Sequence, residues 1–231
     1  MLRTKREYVV VSVGGSLIVP DGIDTEFLKA FRSLLLSKVE QGLSFFIITG
    51  GGKTARNYQH AAEAVRGDLH HEDIDWLGIH STRLNAHLMR ALFLEQAQAR
   101  IVKNPTRGNR GNAAIIVGAG WKPGNSTDFC AVIAAKKLGA KKLVNLSNID
   151  YVYAADPKQD PSATKIEKIN WHDFRELIPK DWDPGLSSPF DPVAAREAEA
   201  LKLEVAIING GKLDEFEKYL QNEPFAGTTI S

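Results

Sequence analysis

Four short stretches of small residues could each hold an anion. They are Gly14-Gly15-Ser16; Gly50-Gly51-Gly52-Lys53; Gly118-Ala119-Gly120, continuing into Pro123-Gly124-Asn125-Ser126-Thr127-Asp128; and Ser147-Asn148-Ile149-Asp150. Glycine lets backbone N–H groups approach a ligand with no Cβ in the way, and a helix starting there offers further unpaired N–H groups to negative charge. Any one of these stretches alone reads as an ordinary turn. Four in one chain point to several phosphates held in a row. Neither Gly-x4-Gly-Lys-Ser/Thr nor Gly-x-Gly-x-x-Gly occurs, so the P-loop and dinucleotide-binding classes are not supported.

The segments before these stretches must position them. Short β-branched runs at Tyr8–Val13, Phe45–Thr49, Ala113–Val117, Lys142–Leu146 and Glu204–Ile208 alternate with helical patterns, and Arg100–Lys103 is a weaker sixth run. Helices are expected over Thr25–Val39, Thr54–Val65, Ile74–Ala97, Asp128–Leu138, Pro192–Leu201 and Leu213–Leu220, the first capped by Asp24. The alternation implies an α/β three-layer sandwich, with a mostly parallel central sheet flanked by helices. In such a sheet the carboxyl ends of the strands share one rim, where ligands bind. All four small-residue stretches follow a strand and so converge there.

Composition bounds the rest. At 231 residues, 43% hydrophobic and 25% charged, the chain is ordinary globular protein rather than a disordered, fibrous or disulfide-dense one. The formal net charge of +1 supplies no global field for nucleic acid or membrane, so an anion site has to be built locally. One cysteine, Cys130, forms neither an internal disulfide nor a cysteine metal cage, which fits a reducing cytoplasm; it reads as a buried small hydrophobe. Basic residues precede the apolar stretch Tyr8 to Val19, but Ser12, Gly14, Gly15 and Ser16 interrupt it, and no small-x-small cleavage pattern follows. The six histidines make no metal-ligand pattern. Asp156–Pro189, rich in Pro, Lys and Asp, is the one candidate for an insertion or subdomain.

Together these residues resemble the amino acid kinase superfamily and, within it, the uridylate (UMP) kinases of the short archaeal-like type. The resemblance rests on Gly14-Gly15-Ser16-Leu17, on Ile48-Thr49-Gly50-Gly51-Gly52-Lys53 with Arg56 and Tyr58, and on Asp75-Trp76-Leu77-Gly78-Ile79 leading to Thr82-Arg83-Leu84-Asn85-Ala86. It continues through Gly120 to Asp128, Asn148-Ile149-Asp150-Tyr151-Val152-Tyr153 with Asp156-Pro157, and Gly227-Thr228-Thr229-Ile230. It implies one domain over residues 1–231, with an acceptor part at about 1–140 and an ATP part at about 141–231. The implied reaction moves the ATP γ-phosphoryl to UMP, with Mg²⁺ accompanying ATP. A homo-oligomer, specifically a homohexamer, is the implied assembly. The apolar residues Leu77, Ile79, Leu84, Leu88, Leu92 and Phe93 of the long Ile74–Ala97 helix point the same way.

By this resemblance Gly14, Gly15, Gly52, Arg56, Ser147, Tyr153 and Asp156 are expected on the ATP side, Tyr153 as a stacking or packing surface for adenine. Gly51, Asp75, Trp121, Lys122, Pro123, Gly124, Asn125, Ser126 and Thr127 are expected around UMP. Asp75 has two readings, a helix N-cap or a ligand of the ribose hydroxyls. Thr82 and Asn85, three apart on one helical face, contact either the uracil or a second subunit. Asp128 complements a helix dipole or orients the phosphate-binding side chains.

Two departures stand out. Many superfamily members carry lysine where this chain has Ser12, so positive charge near the transferring phosphoryl has to come from Lys53, Arg56 or Lys122. Lys53, after three glycines at a helix start, is the choice, and Lys53 and Asp128 are the expected catalytic pair. The second departure is Tyr151, which stands where the family loop has glycine, and a bulky residue there disfavours positive φ. Two rival readings share the fold: a superfamily kinase with another acceptor, and a non-catalytic nucleotide- or oxyanion-binding storage or sensor protein. Isopentenyl phosphate kinases place a histidine beside the second glycine loop, and this chain has none there.

Overall fold

The structure is a computed structural model and describes residues 6–107, 112–157, 159–160, 162–180 and 188–231. In chain order the first elements are β1 (Tyr8–Val13), α1 (Gly15–Ile18), α2 (Thr25–Glu40), β2 (Ser44–Thr49), α3 (Gly52–Val65), α4 (His71–Leu92), β3 (Ile115–Gly118), α5 (Thr127–Leu138) and β4 (Lys142–Ser147). There follow β5 (Val152–Tyr153), β6 (Lys165–Ile166), β7 (Lys168–Ile169), α6 (Trp171–Leu177), α7 (Pro192–Ala200), β8 (Glu204–Asn209), α8 (Leu213–Leu220) and β9 (Thr228–Ile230).

Seven strands form one sheet in the order β3-β2-β1-β4-β8-β9-β7, and β5 pairs with β6 as a separate antiparallel hairpin. The first five strands of that order are parallel, and β9 turns antiparallel to β8. Side chains alternate across the strands with period two. Val10, Phe46, Ile48, Ile116, Leu143 and Val205 face one core, closed by α5, α6 and α7. Val11, Val13, Phe45, Ile47, Val117 and Val144 face the other, closed by α2, α4 and α8. Cover on both faces is why the strands read as unbroken apolar runs rather than alternating ones. No helix among the described residues is long and apolar enough to cross a membrane.

The three-layer expectation holds, with local corrections. Arg100–Lys103 is not a continuous strand; Ala97 and Val102 make isolated parallel bridges to Ile115 and Gly118 at the sheet edge. The fourth helix begins at His71, earlier than expected, because Glu72 and Asp73 suit a first turn. Asp156–Pro189 is not a separate subdomain where it is described: β7 joins the main sheet beside β9, and Trp171 and Phe174 of α6 sit in the main core. Residues 158, 161 and 181–187 of that stretch lie outside the described residues.

Candidate active site at the carboxyl rim

The first two glycine stretches pack directly on each other. Gly14 N–H donates to Leu146 O of β4 (2.8 Å), and Gly50 N–H donates to Val13 O of β1 (2.9 Å). A Cβ on Gly15 would stand 2.0 Å from Gly52 N, and one on Gly50 would stand 2.4 Å from Gly15 N. Gly52 has φ +64°, which L side chains rarely adopt. Backbone therefore touches backbone where a side chain would force the loops apart. The N–H groups of Gly51 and Gly52, at the start of the 14-residue α3, find no acceptor among the described residues. Such groups at a helix start are an anion site.

Helix α4 holds this cradle from below. Asn85 Nδ2 donates to Gly50 O (2.8 Å) and Gly51 O (3.2 Å). Thr49 Oγ1 donates to Thr82 O (3.0 Å), while Thr82 Oγ1 accepts from Gly120 N (2.8 Å) and donates to Ile79 O (2.7 Å). Thr82 and Asn85 are buried. The Asn85 side-chain N–H groups and the Thr82 hydroxyl are thereby engaged with backbone of the glycine loops and of α4 itself. Asp75 does not cap its helix, since His70 occupies that position. Its Oδ2 instead accepts from Gly124 N (2.8 Å), tying α4 to the Trp121–Thr127 loop, and Gly124 there takes φ +75°.

In that loop Ser126 caps α5, its Oγ accepting from Phe129 N (3.1 Å), with Thr127 the first helical residue. Asn125 Nδ2 donates to Pro123 O (3.1 Å). Asp128 follows in the first turn of α5, and Ser12 Oγ at the end of β1 donates to its Oδ1 (3.1 Å). Asp191 N–H donates to its Oδ2 (3.3 Å). Asp128 as a whole keeps some contact with solvent, yet its carboxyl is enclosed by protein. Burial first, and the neighbouring Asp191 charge second, push that carboxyl up to about 6. Burial also raises Asp191 above the usual carboxylate range, and raises the Cys130 thiol to about 12, leaving it inert. Where the resemblance expects a lysine, this chain therefore joins Ser12 to a buried carboxyl pushed up to about 6.

Among the cations, Lys53 opens α3 but its ammonium pairs with Asp21, in the loop after α1. Lys122 lies over the Trp121 ring, 4.7 Å from its centroid. Arg56 is exposed and makes no ion pair with the described residues. Arg83, quoted only as part of the family motif, is the functional candidate that sequence reasoning missed. Its Nη2 donates to Trp121 O (2.8 Å), its guanidinium lies 5.5 Å from the Trp76 ring centroid, and its Nε is buried without a hydrogen bond. A buried unpaired guanidinium N–H beside the acceptor loop is the signal, and it exists only in three dimensions.

Beyond β4 lies a cavity of about 370 Å³ lined by Ser147, Ile149, Tyr151, Tyr153, Asp156 and Leu177 among others. It brings together the three ATP-side residues expected after residue 140. The Ser147 hydroxyl accepts from Ile149 N (3.4 Å), and Asp156 O accepts from Gln159 N (2.9 Å) and Asp160 N (2.8 Å). Leu177 stays 41% exposed at the cavity wall, an apolar surface open to a ligand.

The chain is similar to known proteins over most of its length. The model of the amino acid kinase family matches residues 7–209. A uridylate kinase of Methanosarcina barkeri is 34% identical over 226 residues, covering 96% of this chain and 95% of the relative. One from Pyrococcus abyssi is 36% identical over 190 residues, covering 81% and 83%. The crystal structure of uridylate kinase from Archaeoglobus fulgidus superposes with a TM-score of 0.82 at 29% identity, covering 96% of this chain and 99% of that one.

Proposed function

From the premise that the chain belongs to the amino acid kinase family, we propose that it is a uridylate kinase, transferring the γ-phosphoryl of ATP to UMP to give ADP and UDP. The observation that carries this reading is the nested pair of glycine loops with open N–H groups. They lie between the Asp75–Thr127 loop system on one side and the 370 Å³ cavity on the other. A donor and an acceptor phosphate can meet over that pair. The curated archaeal relatives name the acceptor, which does not favour the other-acceptor or storage-protein readings.

The chemistry needs little from side chains. A phosphate monoester has a second pKa of about 6, so UMP offers an ionised oxygen at neutral pH without a strong general base. That oxygen attacks the γ-phosphorus in line and ADP leaves. The protein positions both nucleotides and neutralises charge on the transferring group. Gly14, Gly15 and Gly52 cradle the ATP phosphates, Gly51 faces the UMP phosphate, and Asp128 with Ser12 sets the first turn of α5 against them. Lys53 serves the transferring group after exchanging Asp21 for phosphate, with Arg56 beside it on α3. Lys122 and Trp121 flank UMP, and the second oxygen of Asp75 serves the ribose. Mg²⁺ accompanying ATP would supply further charge neutralisation at the phosphates. Among the described residues there is no group of three or more His, Cys, Asp or Glu placed to hold a metal.

The same reading carries a homo-oligomer, as a homohexamer, working in the cytoplasm. Tyr58 (63% exposed) and Val65 (89%) on α3 and Leu84 (63%) on α4 are exposed apolar residues that another copy would cover. A coupled assay with Mg²⁺-ATP tests the function: turnover of UMP should exceed that of CMP and of dUMP. Equal rates with dUMP would remove the ribose role of Asp75. No turnover of any nucleoside monophosphate would overturn the kinase reading itself.

A further inference from the structure

Tyr151 stands where the resemblance expects glycine, and the structure shows how the chain accommodates it. Only Lys202 and Asn222, among described non-glycine residues, take positive φ, so Tyr151 sits in an ordinary backbone conformation. Its neighbours are anchored on both sides. Asp150 pairs with Lys212 (2.7 Å) and accepts from Asn209 Nδ2 (2.9 Å), which ties residue 150 to the end of β8. Val152 N–H donates to the buried Thr228 Oγ1 (2.8 Å), which ties residue 152 to β9. A side chain between two such anchors loses little freedom when a ligand arrives.

The ring itself lines the 370 Å³ cavity and is only half-buried. The Lys165 ammonium covers one face, 4.7 Å from the ring centroid, and is itself held by Glu167 (2.8 Å). The Tyr153 ring meets it nearly at right angles, 82° at 6.5 Å between centroids. Two perpendicular rings make a corner in which a flat heteroaromatic base can stack on one and meet the edge of the other.

We propose that Tyr151 is a specificity-determining residue for the phosphoryl donor, its half-open ring stacking on the nucleobase and favouring a purine over the smaller pyrimidine. The inference rests on the donor side assigned under the proposed function and adds which group selects the donor there.

The test compares Tyr151→Phe and Tyr151→Leu with the unaltered protein, using Mg²⁺-ATP and Mg²⁺-CTP as donors and UMP as acceptor. Leucine keeps apolar bulk without a ring; phenylalanine keeps the ring. Tyr151→Leu should raise the KM for ATP about five- to hundredfold, the range expected for one lost base-stacking contact. The ATP/CTP ratio of kcat/KM should fall at least fivefold, and the KM for UMP should stay within about a factor of two. Tyr151→Phe should keep the ATP preference. An unchanged ATP/CTP ratio in Tyr151→Leu overturns the inference while leaving the kinase reading standing. If the unaltered protein transfers no phosphoryl group, the kinase reading fails. Titration calorimetry of ATP and CTP against the same three proteins then decides the inference: selective loss of ATP binding in the leucine variant supports it, and equal binding by all three, or none by any, overturns it.

Discussion

Replacing Asp128 by asparagine should stabilise the protein at neutral pH while lowering its turnover. The carboxyl titrates near 6 in the fold against 3.8 for an ordinary aspartate. At about 1.4 kcal/mol per tenfold change in proton affinity, keeping it ionised costs the folded state up to about 3 kcal/mol. Relaxation of the protein around a buried charge recovers part of that cost, so about 1–2 kcal/mol is the working figure. Between about pH 4 and pH 6 the folded chain holds a proton that the unfolded chain has released, so stability falls as pH rises through that window. Below it the cost is absent, and above it the cost is complete. Asparagine keeps both partners: its carbonyl accepts from Asp191 N–H, and its amide donates to the Ser12 hydroxyl. For a chain of this size the melting temperature should rise by about 2–8 °C at about pH 7.5, and by about a third of that at about pH 4.5. Differential scanning calorimetry of both proteins at both pH values measures this, and kcat should fall in parallel. A variant less stable at neutral pH, or one whose gain is the same at both pH values, would refute the argument that burial of charge dominates here.

Other perturbations probe the rim and the surface. Lys53→Ala should cut kcat by roughly 10²–10³ with a smaller change in the KM for ATP; Asp21→Ala, which removes the lysine's exposed partner, should not reproduce that loss, and if it does the pair acts as structure. Gly15→Ala sets a Cβ 2.0 Å from Gly52 N, so phosphotransfer should disappear even where circular dichroism still reports folded protein; retained turnover would mean that the two loops are not a shared cradle. Leu84→Glu places charge at an exposed apolar position of α4 and should shift light scattering toward the 25.4 kDa single chain; an unchanged assembly would clear this position of any role between subunits.

The five parallel strands were readable because each is a short, mostly apolar run buried on both faces, and the rim followed from the small residues after them. β9 and β7, of three and two residues, carry too little periodicity to announce themselves. The reversal of β9 against β8 is a property of pairing rather than of sequence. Residue types located the glycine cradle and the Ser126–Asp128 turn. What side chains do with their polar atoms was not legible: Lys53 meets Asp21 across 32 residues, Asp75 reaches Gly124 across 49, and Ser12 reaches Asp128 across 116. Such pairings depend on loop paths that no local pattern encodes. Thr82 and Asn85 illustrate the same limit, since helical spacing put them on one face without telling that the face meets the glycine loops.

The buried Thr228 hydroxyl does two things at once, accepting from Val152 N–H and donating to Ile166 O (2.5 Å). It thereby staples both strands of the β5–β6 hairpin, beside the 370 Å³ cavity, to a strand made late in the chain. Synthesis proceeds at about 5–20 residues per second, so a nascent chain carries β1, β2, β3 and the glycine cradle for several seconds before that staple exists. Through this interval the β1–β3 rim can assemble while the hairpin beside the cavity has no anchor on β9. That cavity wall is therefore fixed in place only once the strand carrying Thr228 has been made.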